Sequence, residues 1–101
     1  MMTQARKLLV VIGESALERL LVEEVRKLGA SGYTVSDVRG GGGRGTREAN
    51  WEGDRSIELK VICDAALAAA LAAQIIERYA RDYALSLYIA DIEVFRGDKY
   101  P

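Results

Sequence analysis

The apolar and polar positions of the chain follow two different periods, one typical of strands and one typical of helices. Residues 7–12, "KLLVVI", form a nearly continuous apolar run, which predicts a strand that is covered on both faces. Residues 57–61 alternate between apolar and charged side chains, which predicts a strand with one buried face. Residues 33–39 are rich in strand-forming types, and residues 87–95 complete the predicted set of strands.

Two segments of helical period separate these strands. The first begins with Ser15 and Glu18 at the spacing of a capping box, and Gly29 follows it where a left-handed C-terminal cap belongs. Asp64 can cap the second segment, which runs through alanines to about residue 79 or 82, and Asp82 and Tyr83 are expected to form a terminating turn. The predicted buried stripes are Leu17, Leu20, Leu21, Val25 and Leu28 in the first helix, and Leu67, Leu71, Ile75 and Tyr79 in the second.

The resulting element order, βαββαβ, predicts a fold of the α+β class. It is the ferredoxin-like arrangement, with a four-stranded antiparallel sheet and two helices on one face. Because the first strand is apolar on both sides, the other face needs cover as well, and a closed homo-oligomer would supply it. We expect a single domain over residues 1–101, with a long loop at about 40–54 and a C-terminal strand and tail at 86–101.

Composition narrows the possible functions. The net charge is −1 and the pI about 5.5, so no overall attraction to nucleic acid or to an anionic membrane is expected. No apolar run is long enough to span a bilayer and no signal peptide is evident, so we expect a cytoplasmic protein rather than a membrane protein. Without histidine, a Ser-His-Asp or Cys-His site within one chain is impossible, and a common zinc or copper site is not expected. The single cysteine, Cys63, is interpreted as a small core residue rather than a redox switch.

The loop at residues 40–54 allows two interpretations. Residues 40–45 contain five of the ten glycines, and such runs are often flexible linkers. They match neither GxxxxGK[ST] nor a glycine motif that opens a helix. However, successive amides without Cβ atoms can also form an anion-binding nest, and arginine side chains suit phosphate or carboxylate oxygens. The flanking arginines favour this second interpretation: Arg39, Arg44, Arg47 and Arg55.

These segments resemble the PII signalling proteins and their PII-like relatives over nearly the whole chain. The resemblance lies in "KLLVVI", "LGASGYTVSDVRGGGGRG", "SIELKVICD" and "FRGDK". It implies a ferredoxin-like homotrimer that binds adenine nucleotides in clefts between neighbouring subunits. The loop at 40–54 then corresponds to the family's T-loop, through which partners are regulated.

The resemblance also implies roles for individual residues. Thr34 matches a threonine near the adenine, Ile62 lines the base pocket, and Arg96 reaches the phosphates from the neighbouring subunit. The full nucleotide-binding set is Thr34, Arg39, Gly40, Gly41, Gly42, Gly43, Arg44, Ile62, Arg96, Gly97 and Lys99. The set for bicarbonate or for a partner is Arg44, Arg47, Trp51 and Arg55.

Departures from the family pattern refine these expectations. Arg44 stands where classical PII proteins carry a glutamine that helps to bind Mg-ATP and 2-oxoglutarate, and "TREANWEGD" has no tyrosine, so uridylylation is not expected. The segment before the last strand is shortened to "RDYALS" without a lysine, so ADP or AMP should bind at least as well as ATP. This combination resembles the carboxysome-associated PII-like branch. That likeness implies a non-catalytic regulator that binds adenine nucleotide and bicarbonate, with a membrane bicarbonate transporter as partner.

Several alternatives stay open at this stage. A ferredoxin-like domain with an anion loop could be an acylphosphatase-type enzyme, although only Gly13, Glu14 and Ser15 occupy the place of that family's phosphate cradle. An RNA-binding sheet needs stacking aromatic residues, which "KLLVVI" lacks. Trp51 could anchor the loop or bind a partner. Residues 98–100 could close over the cleft as a lid or fray as a terminus.

Overall fold

The computed structural model describes residues 2–41 and 55–101. It contains β1 (Gln4–Glu14), α1 (Glu18–Lys27), β2 (Thr34–Val38), β3 (Ser56–Cys63), α2 (Ala65–Tyr79) and β4 (Ser86–Val94), with short 3-10 turns at Ser15–Leu17 and Gly97–Lys99. The four strands form one sheet in the order β2-β3-β1-β4, and every neighbouring pair is antiparallel. The predicted ferredoxin-like α+β fold is confirmed.

The strand register assigns residues to the two faces of the sheet. Leu9 of β1 lies opposite Val61 of β3 on the face that packs against the helices, whereas Leu8 lies opposite Ile62 on the other face, here called the open face. Strand and helix side chains together form one buried core: Leu9, Val11, Ile57, Leu59, Val61 and Cys63 from the strands, Leu17 from the first 3-10 turn, and Leu21, Val25, Ala68, Leu71 and Ile75 from the helices. The helices therefore cover one face and leave the open face without a helical layer.

The chain enters α1 differently from the prediction. Ser15 does not cap a helix, because the residues at the N-terminal cap positions are Glu14 and Leu17, and neither makes a side-chain cap. Instead, the Ser15 N–H donates to the Arg55 carbonyl over 2.7 Å, and a 3-10 turn separates β1 from α1. The predicted capping box is therefore wrong, because this long-range bond places Ser15 inside the turn rather than before the helix.

The other helix ends agree with their sequence signals. Gly29 has φ 86°, the Gly29 N–H donates to the Arg26 carbonyl and the Ala30 N–H donates to that of Val25, which together make a Schellman motif. The Asp64 carboxylate accepts a hydrogen bond from the Leu67 N–H at 2.8 Å and caps α2. The stripe of α2 packs as predicted, and so does that of α1 apart from Leu20, which is 38% exposed.

A buried carboxylate joins the two helices. Glu24 of α1 is 2% exposed, and its oxygens accept hydrogen bonds from Gln74, Arg78 and Tyr79 of α2. Burial alone raises the pKa of Glu24, but these hydrogen bonds and the positive charge of Arg78 outweigh it, so the pKa lies below its ordinary value. The Glu24 carboxylate is therefore a fixed polar link in the helical layer.

Cys63 lies at the end of β3, within the core. It is fully buried, as the sequence predicts, and its thiol is free. Burial, followed by the negative charge of Asp64, raises the pKa of this thiol. The Cys63 side chain therefore stays protonated at neutral pH and packs as a small apolar group.

Within residues 2–41 and 55–101, no helix combines the length and apolar character that a membrane crossing requires.

Candidate functional site

A cleft of about 660 Å³ opens on the open face beside β2. Its floor comes from Leu8 of β1 and from Lys60 and Ile62 of β3, and one wall comes from residues 31–34 at the start of β2. Lys99 and Tyr100, from the C-terminal end, form the other wall. Thus segments far apart in the sequence meet at one concave site.

The strand register explains the chemistry of the floor. Thr34 lies directly opposite Lys60, and Leu8 lies directly opposite Ile62, so a hydroxyl and an ammonium stand next to an apolar patch. The Lys60 Nζ lies 3.4 Å from the Glu58 Oε1, and the lysine side chain is 47% exposed. An exposed ion pair of this kind is weak, so Lys60 remains able to interact with an anion in the cleft.

The C-terminal wall is a short turn held against β1. The Lys99 N–H donates to the Arg96 carbonyl and the Tyr100 N–H donates to the Gly97 carbonyl, each over 3.0 Å. The Arg6 guanidinium donates to the carbonyls of Gly97 and Tyr100 at 2.7 and 2.5 Å. Residues 97–100 are therefore packed on the sheet rather than frayed, and they place Lys99 beside the cleft.

The structure brings three of the predicted nucleotide-binding residues together: Thr34, Ile62 and Lys99 line the same cleft. The other predicted residues that the structure describes lie outside this lining. Arg39, Gly40 and Gly41 follow β2 and are exposed, Arg96 is exposed at the end of β4, and Gly97 is buried against Gln4. Arg55 is exposed, and its carbonyl bonds to Ser15. Gly42, Gly43, Arg44, Arg47 and Trp51 lie outside the described residues.

The sequence did not assign Lys60, Leu8 or residues 31–33 to the site, nor Arg6, which holds its C-terminal wall. Tyr100 was expected either to close over the cleft or to fray, and it lines the cleft. The alternation of β3 did place Lys60 on the outward face, but only the register shows that it lies opposite Thr34. Arg6 contacts a residue 94 positions away, so no local pattern could have indicated its role.

Comparison with known proteins identifies the family of this chain. The family model described as "Nitrogen regulatory protein P-II" matches residues 6–99. Among solved structures, a candidate PII-like signalling protein from Thermus thermophilus is similar to this chain at 39% identity and a TM-score of 0.86, with all of both chains covered.

Two structures of CPII from Thiomonas intermedia K12 are also similar in fold. CPII bound to ADP and bicarbonate has 22% identity and a TM-score of 0.85, with 99% of this chain and 98% of that chain covered. CPII bound to ADP, AMP and bicarbonate has 20% identity and a TM-score of 0.84, with 98% and 96% covered. Since the P-II family model spans almost the whole sequence, the chain belongs to the nitrogen regulatory protein P-II family.

Proposed function

We propose that this chain is a regulatory protein that binds ADP or AMP in the cleft and reports the bound state to a partner. The observation that carries the proposal is the convergence of Thr34, Ile62 and Lys99 in one cleft. The volume of about 660 Å³ lies within the range of roughly 300–1,000 Å³ that is typical of small-molecule sites. Membership of the PII family and the adenine nucleotides bound by the CPII structures support the same ligand class.

The chemistry of the cleft suits a nucleotide. Leu8 and Ile62 offer an apolar surface to a ring, and the Thr34 hydroxyl can donate to or accept from a base edge. Lys60 and Lys99 provide positive charge for phosphate oxygens. In this proposal, residues 1–101 form one domain, in which residues 40–54 serve as the T-loop and residues 86–101 as the C-terminal strand and tail.

We propose that the site is completed in a homotrimer, where Arg96 of a neighbouring subunit would face the phosphates. The open face supports association because it presents apolar side chains without a helical layer. Tyr88, opposite Val10 in the register, is 52% exposed there. Burying such a face between copies is favourable in proportion to the apolar area removed from water.

The second ligand in the proposal is bicarbonate, which CPII binds together with ADP. The arginines of the loop, Arg44, Arg47 and Arg55, are the proposed anion-binding groups, and Trp51 is the proposed partner contact. The target would be an inorganic-carbon transporter in carboxysome-linked metabolism, regulated from the cytoplasm. Nucleotide binding would favour one shape of residues 40–54, and about 1.4 kcal/mol of preference is enough for a tenfold switch.

The proposed role is non-catalytic, and the connection between β1 and α1 supports it. An acylphosphatase-type cradle would need free amides there, but the Ser15 N–H already donates to the Arg55 carbonyl. Gly13 is buried, and a Cβ at that position would lie 2.7 Å from the Leu85 side chain. A phosphate would therefore find neither a free amide at Ser15 nor space beside Gly13.

Calorimetric titration with ADP, AMP, ATP and cyclic AMP, each with and without bicarbonate, tests the proposal. We expect ADP or AMP to bind at least as tightly as ATP, and light scattering to report a trimer. Thr34→Val should weaken ADP binding about fivefold, because it removes one hydrogen-bonding group worth about 1 kcal/mol. Ser36→Ala is the matched control, since Ser36 shares the strand and the face of Thr34 but lies outside the cleft.

Absence of heat with every nucleotide would reject the nucleotide site. Turnover of acetyl phosphate by the purified protein would instead favour the enzymatic alternative. Equal ADP affinities for the Thr34 and Ser36 variants would place the nucleotide elsewhere on the molecule.

A further inference from the structure

Within residues 2–41 and 55–101, every acceptor of the Arg6 side chain is a main-chain oxygen. Its Nε donates to the Tyr100 carbonyl at 2.5 Å, its Nη2 to that of Gly97 at 2.7 Å and its Nη1 to that of Ala5 at 2.7 Å. The side chain is half-buried on β1. The guanidinium thus joins the first strand to the last residues of the chain.

The turn that Arg6 holds has few other means of staying in place. It follows Arg96, the only residue other than glycine with a positive φ (57°) in the described chain. Only the N–H groups of Lys99 and Tyr100 close hydrogen bonds within the turn. A short turn with so few hydrogen bonds of its own stays in place only when another part of the molecule holds it.

Gly97 permits the close contact that Arg6 requires. A Cβ at residue 97 would lie 2.1 Å from the Gln4 Oε1 and 2.8 Å from the Gln4 Cβ. A side chain at this position would therefore push the turn away from β1, even if the end of Gln4 moved. The missing Cβ lets the Gly97 carbonyl approach the guanidinium.

The held turn is also the second wall of the cleft. Lys99 and Tyr100 line it, whereas Arg6 does not. Arg6 and Leu8 lie on the same face of β1 because they are two residues apart, and Leu8 belongs to the floor of the cleft. The contacts of Arg6 therefore set the position of the wall relative to the floor.

We infer that Arg6 is a positioning residue for the ligand site: it fixes the C-terminal turn so that Lys99 meets the phosphates of a nucleoside diphosphate. This inference rests on the proposed function, and it adds Arg6 as a residue that acts on the ligand through Lys99. Ordering a loose turn on binding would reduce affinity, whereas a turn that is ordered in advance avoids most of that loss.

An arginine suits this task better than a lysine. The guanidinium presents several N–H groups in a rigid plane, so two of them can reach two carbonyls that lie three residues apart. An ammonium is a single point donor on a flexible stem, and it can hold one of these carbonyls at a time in good geometry. Arg6→Lys should therefore restore only part of what Arg6→Ala removes.

The test uses ADP as the probe and combines calorimetry with residue-resolved amide hydrogen exchange. Arg6→Ala should weaken ADP binding about tenfold, as expected when a charge-assisted contact is lost, and should speed exchange at Lys99 and Tyr100 while the amides of β3 stay protected. Gly97→Ala should produce both effects with the Arg6 charge still present. Arg19→Ala removes the same charge from the exposed surface of α1, outside the cleft, and should behave as the unaltered protein.

A double-mutant comparison separates positioning from direct contact. In a Lys99→Ala/Tyr100→Ala background, adding Arg6→Ala should change the ADP affinity by less than about twofold, because the groups that Arg6 positions are already gone. A further tenfold loss in that background would show that Arg6 contacts the ligand itself, and would overturn the inference.

The remaining outcomes are also decisive. Normal ADP binding or normal amide protection in Arg6→Ala would overturn the inference while leaving the nucleotide site intact. Weak binding in Arg6→Ala with normal binding in Gly97→Ala would also overturn it, since the charge alone would then matter. If Arg6→Ala fails to fold, Gly97→Ala supplies the same comparison. An unaltered protein that binds no ADP would reject the proposed function, and the inference with it.

Discussion

The polar cluster between the helices and the polar cleft on the open face use charged side chains in opposite ways. Glu24 is almost completely buried, and its two oxygens accept hydrogen bonds from three side chains of α2 at 2.6, 3.0 and 3.1 Å. In the cleft, the Lys60 side chain is 47% exposed and its Nζ lies 3.4 Å from a carboxylate oxygen of Glu58, and Lys99 is exposed.

The difference shows how to distinguish a structural charge from a binding charge. A buried charge is tolerated only when partners within the protein satisfy it, and a charge satisfied in this way has little capacity left for a ligand. Lys60 and Lys99 keep most of their hydrogen-bonding capacity and share a concave surface with a hydroxyl and an apolar floor. The first cluster therefore stabilises the fold, and the second is available for an anion.

The largest effect is expected from removing the buried carboxylate. Glu24→Ala should lower the free energy of unfolding by about 3 kcal/mol, because it opens space between the helices and leaves buried partners without an acceptor. The affinity for ADP should stay unchanged, since Glu24 does not line the cleft. Urea unfolding at a fixed protein concentration measures the first quantity, and calorimetry measures the second.

Glu24→Gln provides the matched control for that variant. It keeps nearly the same shape, but it loses the charge and has an NH2 group in place of one acceptor oxygen. The remaining oxygen can still accept from Gln74 or from Tyr79. We expect roughly half the destabilisation of the alanine variant. A loss below about 0.5 kcal/mol for Glu24→Ala would contradict a structural role for the cluster.

The local signals in the sequence were enough to predict the fold. Gly29 and Asp64 end and begin helices through contacts with residues at most four positions away, so their roles can be read from the sequence. Glu24 and Arg6 could not be interpreted in this way, because the contacts that join them to other elements are with residues 50 or more positions away. The polar start of β1 was also missed: residues 4–6 are in the strand because they pair with β4, not because of their own propensity.

Only part of the site was predicted, because several of its residues are brought together by long-range contacts. Thr34, Ile62 and Lys99 were identified from the family resemblance, and the structure gathers them in the cleft. Lys60 could not be assigned to the cleft without the register, because only the pairing of β2 with β3 shows that it lies opposite Thr34. Ser15 was misinterpreted because its N–H donates to the carbonyl of Arg55, which belongs to a distant segment.

An intermediate effect is expected at the floor of the cleft. Lys60→Ala should weaken ADP binding about fivefold at low salt and less at high salt, because the lysine is partly exposed and its interaction with phosphate is screened. Lys7→Ala is the control, because Lys7 is likewise a strand lysine in an ion pair, with Asp91, but lies outside the cleft. Isothermal calorimetry at two salt concentrations makes the comparison. Equal ADP affinities for the two variants would mean that the nucleotide does not bind in this cleft.

The smallest expected effect is the contribution of Glu24 to the pH dependence of the free energy of unfolding. The desolvation of Glu24 raises its pKa. The hydrogen bonds from Gln74 and Tyr79 and the charge of Arg78 together lower it by more, so the folded pKa lies below the ordinary value of 4.5. The unfolded chain therefore takes up a proton first as the solution is acidified. The stabilisation is fully present above pH 4.5 and is lost as the pH falls through the folded pKa.

The Glu24→Gln variant has no carboxyl at this position to take up the proton. Below pH 4.5, the stability of the variant should therefore change less steeply with pH than that of the unaltered protein. Urea midpoints measured at intervals from about pH 6 down to about pH 3 provide the comparison, because other carboxylates titrate equally in both proteins. Parallel curves would mean that burial and hydrogen bonding cancel at Glu24. The cluster would then stabilise the helices through its geometry, and not through a preference for the charged carboxylate.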